Sequence, residues 1–96
     1  MKTLLEVLES LTNDPRVGPI HLCLYLALWR CWEKADWAGE FVVKRMELMR
    51  MAKVQGKTTY YRVMRELQEM GYVGYQARKH MRKGTVVGMK DFCNFA

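Results

Sequence analysis

The sequence is short of proline, glycine, cysteine and acidic charge. Two prolines and seven glycines in 96 residues exclude a collagen-like or low-complexity chain. With half of the residues apolar, the composition is that of a folded domain rather than a disordered one. Three cysteines, odd in number and sparsely spaced, exclude a disulfide framework. Cys23 and Cys31 fall on one expected helix about 12 Å apart, beyond disulfide reach. Free buried thiols in a reducing, cytoplasmic setting are therefore expected. The longest unbroken apolar run is Leu22–Trp29, far short of the roughly 20 residues that a bilayer requires. Glu6 and Glu9 interrupt the leucines behind Lys2, unlike a signal peptide. Also lacking are a C-x₂₋₄-C pair, a phosphate-binding P-loop and a dinucleotide fingerprint. Only His21 and His80 are available as imidazoles, and Cys93 has no evident base. The expectation is no metal, no cofactor, no small-molecule ligand, no membrane contact and no catalysis.

What is present reads as one domain over residues 1–96, mainly α with a small β-hairpin. Leu4, Leu5, Leu8 and Leu11 read as one side of an N-terminal helix over residues 1–13, which Asn13-Asp14-Pro15 breaks. Such a short helix must dock, as a first core helix or as a dimerisation arm. Pro19 suits the first turn of a second helix running from Ile20 to Ala35. That helix is apolar nearly all round and should form the spine of the domain. Asp36 to Gly39 ends it, with Gly39 suited to a left-handed turn position. Phe41-Val42-Val43 reads as a brief strand. A helix over Arg45–Ala52 follows, with Met46 and Met49 or Leu48 turned inward. After the turn Val54-Gln55-Gly56, Thr58 or Thr59 can cap a helix reaching Met70. Its buried stripe is Tyr60, Val63, Met64 and Leu67, and Gly71 fits its C-terminal cap. Val73, Tyr75 and Ala77 alternate in a strand, Lys79–Gly84 form a basic tip, and Thr85–Met89 return.

Charge is unevenly distributed. Residues 1–39 hold four Lys or Arg against five acidic groups, and residues 40–96 hold twelve against five. The whole excess of +6 therefore lies in the later part of the chain. Lys57, Thr58, Tyr61, Arg62 and Arg65 share the non-core face of the Thr58–Met70 helix, basic in its first two turns, whereas Glu66 and Glu69 come later. A helix of that kind suits entry into a DNA major groove by its N-terminal half. A basic helix face alone is ordinary solvated surface, as is a charged hairpin tip. Their occurrence together, on a helix–turn–helix followed at once by a hairpin, favours nucleic-acid contact.

The stretch "MELMRMAKVQGKTTYYRVMRELQEMGYVGYQ" resembles the second helix, turn, recognition helix and first wing strand of the winged helix-turn-helix family. The core pattern Thr59, Tyr60, Val63, Met64, Leu67, Gly71-Tyr72-Val73 carries that resemblance over residues 19–89. "KTTYYRVMRELQEMGYV" is similar to small bacterial helix-turn-helix proteins of the Bacteroidetes type. The resemblance implies non-enzymatic binding of double-stranded DNA, with transcription regulation as the commonest role. By position, Lys57, Thr58, Thr59, Tyr61, Arg62 and Arg65 match the groove-facing part of the recognition helix. Lys79, Arg82 and Lys83 match the wing, and Lys44 and Arg45 match phosphate-touching positions. Many relatives start the preceding helix with Ser or Thr, whereas Val43-Lys44 stands here, so a side-chain cap is expected to be missing.

Of the eight methionines, Met46, Met49, Met64 and Met70 fit helical core or boundary spacing as flexible filler. Three tryptophans are many for a core this small, and such rings are enriched at interfaces. A homodimer is expected, with Leu4, Leu8, Leu11, Trp29 and Trp32 as candidate interface residues. The alternative function is a protein-interaction module of a replication or mobile-element assembly.

Overall fold

A computed structural model describes residues 4–81 and 84–89, with side chains for 4–74 and 84–89. Among these residues, four helices accompany a three-stranded antiparallel sheet: α1 (Leu4–Asn13), α2 (Pro19–Lys34), β1 (Phe41–Val43), α3 (Arg45–Ala52), α4 (Lys57–Glu69), β2 (Val73–Met81) and β3 (Gly84–Met89). The mainly helical class with a hairpin is as expected. The hairpin, however, gains a third strand, because β1 pairs with β3 in the order β1-β3-β2.

Helical periodicity explains which leucines the core takes. Val7 and Leu11 of α1 are fully buried, Leu4 and Leu8 pack at the margin, and Leu5 is 78% exposed. At about 100° per residue, positions 4, 7, 8 and 11 form one stripe, and position 5 turns away from it. The expected side containing Leu5 is corrected accordingly. On α2, Leu24, Tyr25, Ala27, Leu28, Trp29 and Trp32 are buried, while Cys23 and Leu26 reach solvent. Cys23 is thus an exposed thiol and Cys31 a half-buried one, not the fully buried pair expected. Burial pushes the Cys31 thiol above its ordinary range, aided by the nearby Glu47 carboxylate, which disfavours the nucleophilic thiolate.

The left-handed positions of the α2–β1 loop are not taken by its glycine. Asp36 (φ 59°) and Trp37 (φ 60°) take the left-handed conformation expected of Gly39. Such backbone is uncommon for non-glycine residues and needs surrounding contacts to hold it. Trp32 supplies one, its indole Nε1–H donating to the Ala38 carbonyl at 2.8 Å. The Trp37 ring supplies the other, meeting Trp32 edge-on at 4.8 Å and Trp29 at 5.7 Å.

Lys53 (φ 62°) ends α3 in the same left-handed way. Within α3, Leu48 and Met49 face inward but Met46 is 76% exposed, correcting its expected burial. The next helix starts earlier than Thr58: the Tyr60 N–H donates to the Gly56 carbonyl at 3.0 Å, so Gly56 is its N-cap and no side chain caps it. Thr58 and Thr59 lie inside the first turn instead. The predicted stripe holds, with Tyr60, Val63, Met64 and Leu67 fully buried. Gly71 (φ 89°) follows the helix in a conformation that glycine adopts at no steric cost.

In the sheet, Phe41, Val42 and Val43 stand opposite Val87, Val86 and Thr85. Val73 to Gln76 stand opposite Met89 to Val86, and His80 then pairs with Thr85. Ala77, Arg78 and Lys79 are therefore extra residues on β2, a bulge that interrupts the expected alternation. Because β2 continues to Met81, Lys79 belongs to a strand rather than to the tip. Arg82, Lys83 and Cys93 lie outside the described residues.

Thr85, Val87 and Met89 turn into the core from β3. Val87 and Met89 join Phe41, Val43, Val73 and the inner helix stripes in one apolar cluster. Away from the helices, Asp14 ties the α1–α2 loop to the start of β2. It accepts from the Arg16 guanidinium at 2.7 and 3.0 Å, the Arg16 N–H at 2.9 Å and the Tyr72 hydroxyl at 2.9 Å. These donors, the Arg16 side chain first, hold its carboxyl well below the usual range.

Candidate functional site

The outer face of α4 gathers most of the residues singled out by charge. Its apolar stripe anchors it in the core, so the orientation of the opposite face follows from the 3.6-residue repeat. Lys57, Thr58, Tyr61, Arg62 and Arg65 are all exposed, and Thr59 is half-buried toward the side. Tyr61 is 39% exposed and rests edge-on against the buried Tyr60 ring at 5.1 Å. Its hydroxyl end is thereby available above an apolar footing. No acidic residue lies in the first turn of α4, whose exposed amide N–H groups and helix dipole carry positive sign.

Glu66 subdivides this face. Its Oε1 lies 3.2 Å from Arg62 Nη1 and 2.8 Å from His21 Nε2. His21 in turn accepts the Gly18 N–H at Nδ1, 2.9 Å away. With Nδ1 accepting, Nε2 carries the proton and donates it to Glu66; this tautomer is assigned from the hydrogen bonding. The His21 donor and then the Arg62 charge lower the Glu66 pKa, so the group is a carboxylate at neutral pH. One chain of contacts thus links the N-terminus of α2 to the middle of α4 and holds Arg62 by its own helix. Among the described residues, Lys57 and Arg65 form no ion pair, and they are the uncommitted cations of the face.

The other predicted residues are placed elsewhere. Lys44 is the exposed N-cap of α3 and, as expected, makes no side-chain cap bond. Arg45 is half-buried, its Nη1 3.7 Å from Met49 Sδ, which withdraws it from a purely phosphate-facing position. Lys79 lies in the β2 bulge, and Arg82 and Lys83 lie outside the described residues. Of the candidate interface residues, Leu11, Trp29 and Trp32 are buried by their own chain and Leu4 and Leu8 are half-buried. Among the described residues, the exposed large apolar side chains are instead Leu5, Leu26, Trp37, Val42, Met46 and Tyr61.

Two features escaped sequence reasoning. The His21–Glu66 pair joins residues far apart in the chain, for which no local pattern exists; His21, two residues after Pro19, reads from the sequence only as a capping or packing group at the helix start. The Asp14–Tyr72 bond is equally remote. Among the described residues no cluster of His, Cys, Asp and Glu is suited to a metal ion, and no helix is long and apolar enough to cross a membrane. No family model, curated protein or solved structure matches this chain.

Proposed function

We propose that the chain is a non-enzymatic, winged-helix-like protein that binds double-stranded DNA through the first two turns of α4. The observation that carries this reading is the division of α4. One stripe is wholly buried, whereas the opposite face presents Lys57, Thr58, Tyr61, Arg62 and Arg65 to solvent. A helix with side chains is about 10–12 Å across and the B-DNA major groove is about 12 Å wide, so such a face fits it. The order helix, strand, helix, helix, hairpin supports the resemblance noted above. Arg65 is free to donate two hydrogen bonds to a guanine edge, worth about 1–3 kcal/mol of discrimination. Arg62 does so on leaving Glu66. Lys57 and Lys44 anchor phosphates, and the sequence expectation adds Lys79, Arg82 and Lys83 to them. Sequence-specific regulation of transcription is the role that this surface serves.

The test is fluorescence anisotropy of a labelled duplex pool, titrated from about 50 to 300 mM salt. Affinity is expected to fall tenfold or more across that range as counterions return to the phosphates. The double variant Arg62→Ala/Arg65→Ala is expected to stay folded and lose binding. Wild-type affinity in that variant, or no binding at the lowest salt, overturns the assignment and leaves the protein-interaction reading in its place.

A further inference from the structure

A groove of about 630 Å³ lies on α2 between α1 and the end of α3. Its floor includes Leu26, Trp29 and Met51, and its rim carries Arg30, Arg50 and Lys53. It contains no residue of α4. Leu4, the first residue of α1, forms part of its wall, so the start of α1 borders the groove. One residue further round that helix is Leu5, 78% exposed, and one turn beyond it is Glu9, also exposed. Residues i and i+4 lie one above the other on a helix, so Leu5 and Glu9 form an apolar-acidic ridge beside an apolar-basic groove.

We infer that this groove receives α1 of a second copy of the same chain, and that the α1 of the first copy enters the groove of the second. A two-fold interface must be self-complementary, with ridge and groove both on the same patch, and this patch has both. Charge favours a second copy as the occupant. The chain carries +6 overall, so copies repel on most approaches, yet α1 contains Glu6 and Glu9 and no basic residue. Laying α1 across Arg30, Arg50 and Lys53 brings the acidic helix of one copy to the basic rim of the other, and such pairing fixes partner and orientation. Leu5 and Leu26 together supply the apolar centre that the buried Trp29 and Trp32 cannot. This inference does not rest on DNA binding, because its surface excludes α4.

The test is sedimentation equilibrium of the full chain without DNA, from about 5 to 300 µM at about 0.15 M salt. The mass is expected to rise with concentration from 11.4 kDa toward twice that value. Leu5→Glu and Arg30→Glu are each expected to weaken association about tenfold or more, since the two-fold dimer loses each contact twice. Combining Arg30→Glu with Glu9→Arg is expected to restore it. Both positions are exposed, and unchanged thermal melts at low concentration will establish that the variants fold. A monomer at every concentration, a dimer indifferent to Leu5→Glu, or a charge exchange that restores nothing overturns the inference.

Discussion

Replacing Gly84 by alanine tests the least anticipated part of the fold, the pairing of β1 with β3. Gly84 opens β3 with φ 132°, a conformation that side chains disfavour. A Cβ there would run into the Val43 carbonyl, approaching its carbon to 2.8 Å and its oxygen more closely still. Two costs add: about 1–3 kcal/mol for a non-glycine residue in strained backbone and about 1–3 kcal/mol for overpacking against an unyielding neighbour. The sum, about 2–6 kcal/mol, is a large share of the roughly 5–14 kcal/mol expected for a domain of this length. For a chain this small each kcal/mol shifts Tm by about 4–8 °C, so Gly84→Ala should melt about 8 °C or more below the wild type. Gly39→Ala is the matched control, since its added Cβ meets nothing within 4 Å and its φ is not positive. Differential scanning calorimetry on both variants decides the matter. A Gly84→Ala variant melting within about 2 °C of wild type would refute the close approach of β3 to Val43 and the strain reasoning with it.

Three further outcomes are expected. Met64→Ala, at a fully buried position, should cost about 2–5 kcal/mol in urea denaturation, whereas Met46→Ala, mostly exposed, should stay within about 0.5 kcal/mol; equal effects would mean that the face of α3 or α4 is misassigned. In acid, Asp14 and Glu66 both have folded pKa values lowered by their donors, so the unfolded chain binds protons first. Their stabilisation is present above about pH 4 and is lost as pH falls below it, and Asp14→Asn should flatten the decline of the urea midpoint between pH 4 and 2. Glu66→Gln should release Arg62 and tighten duplex binding severalfold in anisotropy titrations, with a steeper salt dependence; weaker binding would make Glu66 a positioning residue for Arg62 instead.

Local periodicity carried the helices. The spacing of Tyr60, Val63, Met64 and Leu67 names the buried stripe of α4 because a 3.6-residue repeat is written in the chain itself. The outward face with Tyr61, Arg62 and Arg65 follows from it, so the candidate surface was legible as far as α4 extends. The same logic, applied with the correct angle, takes Val7 and releases Leu5, where counting leucines misleads. What depends on distant partners was not legible. Three residues of β1 find their mate in Val86 and its neighbours, and nothing in so short a segment announces which strand it joins. The left-handed positions also went astray, because Asp36, Trp37 and Lys53 occupy them where backbone preference points to glycine. Trp37 and Asp36 are held by ring contacts and an indole hydrogen bond that only the folded chain supplies. The bulge at Ala77, Arg78 and Lys79 likewise reflects a mismatch between two strands, a property of the pair and of neither alone.

The edge-on packing of Trp29, Trp32 and Trp37 around the α2–β1 turn has a spectroscopic consequence. Rings separated by 5.3, 5.7 and 4.8 Å are near enough for their excited states to couple. The pair Trp29 and Trp32 is largely buried while Trp37 remains 39% exposed. The protein therefore contains an intrinsic optical reporter with a shielded part and an accessible part. Near-ultraviolet circular dichroism reads the geometry of the trio, and an aqueous quencher reaches Trp37 first. Opening of the α2–β1 turn can thus be followed separately from events on α4, in the unmodified chain.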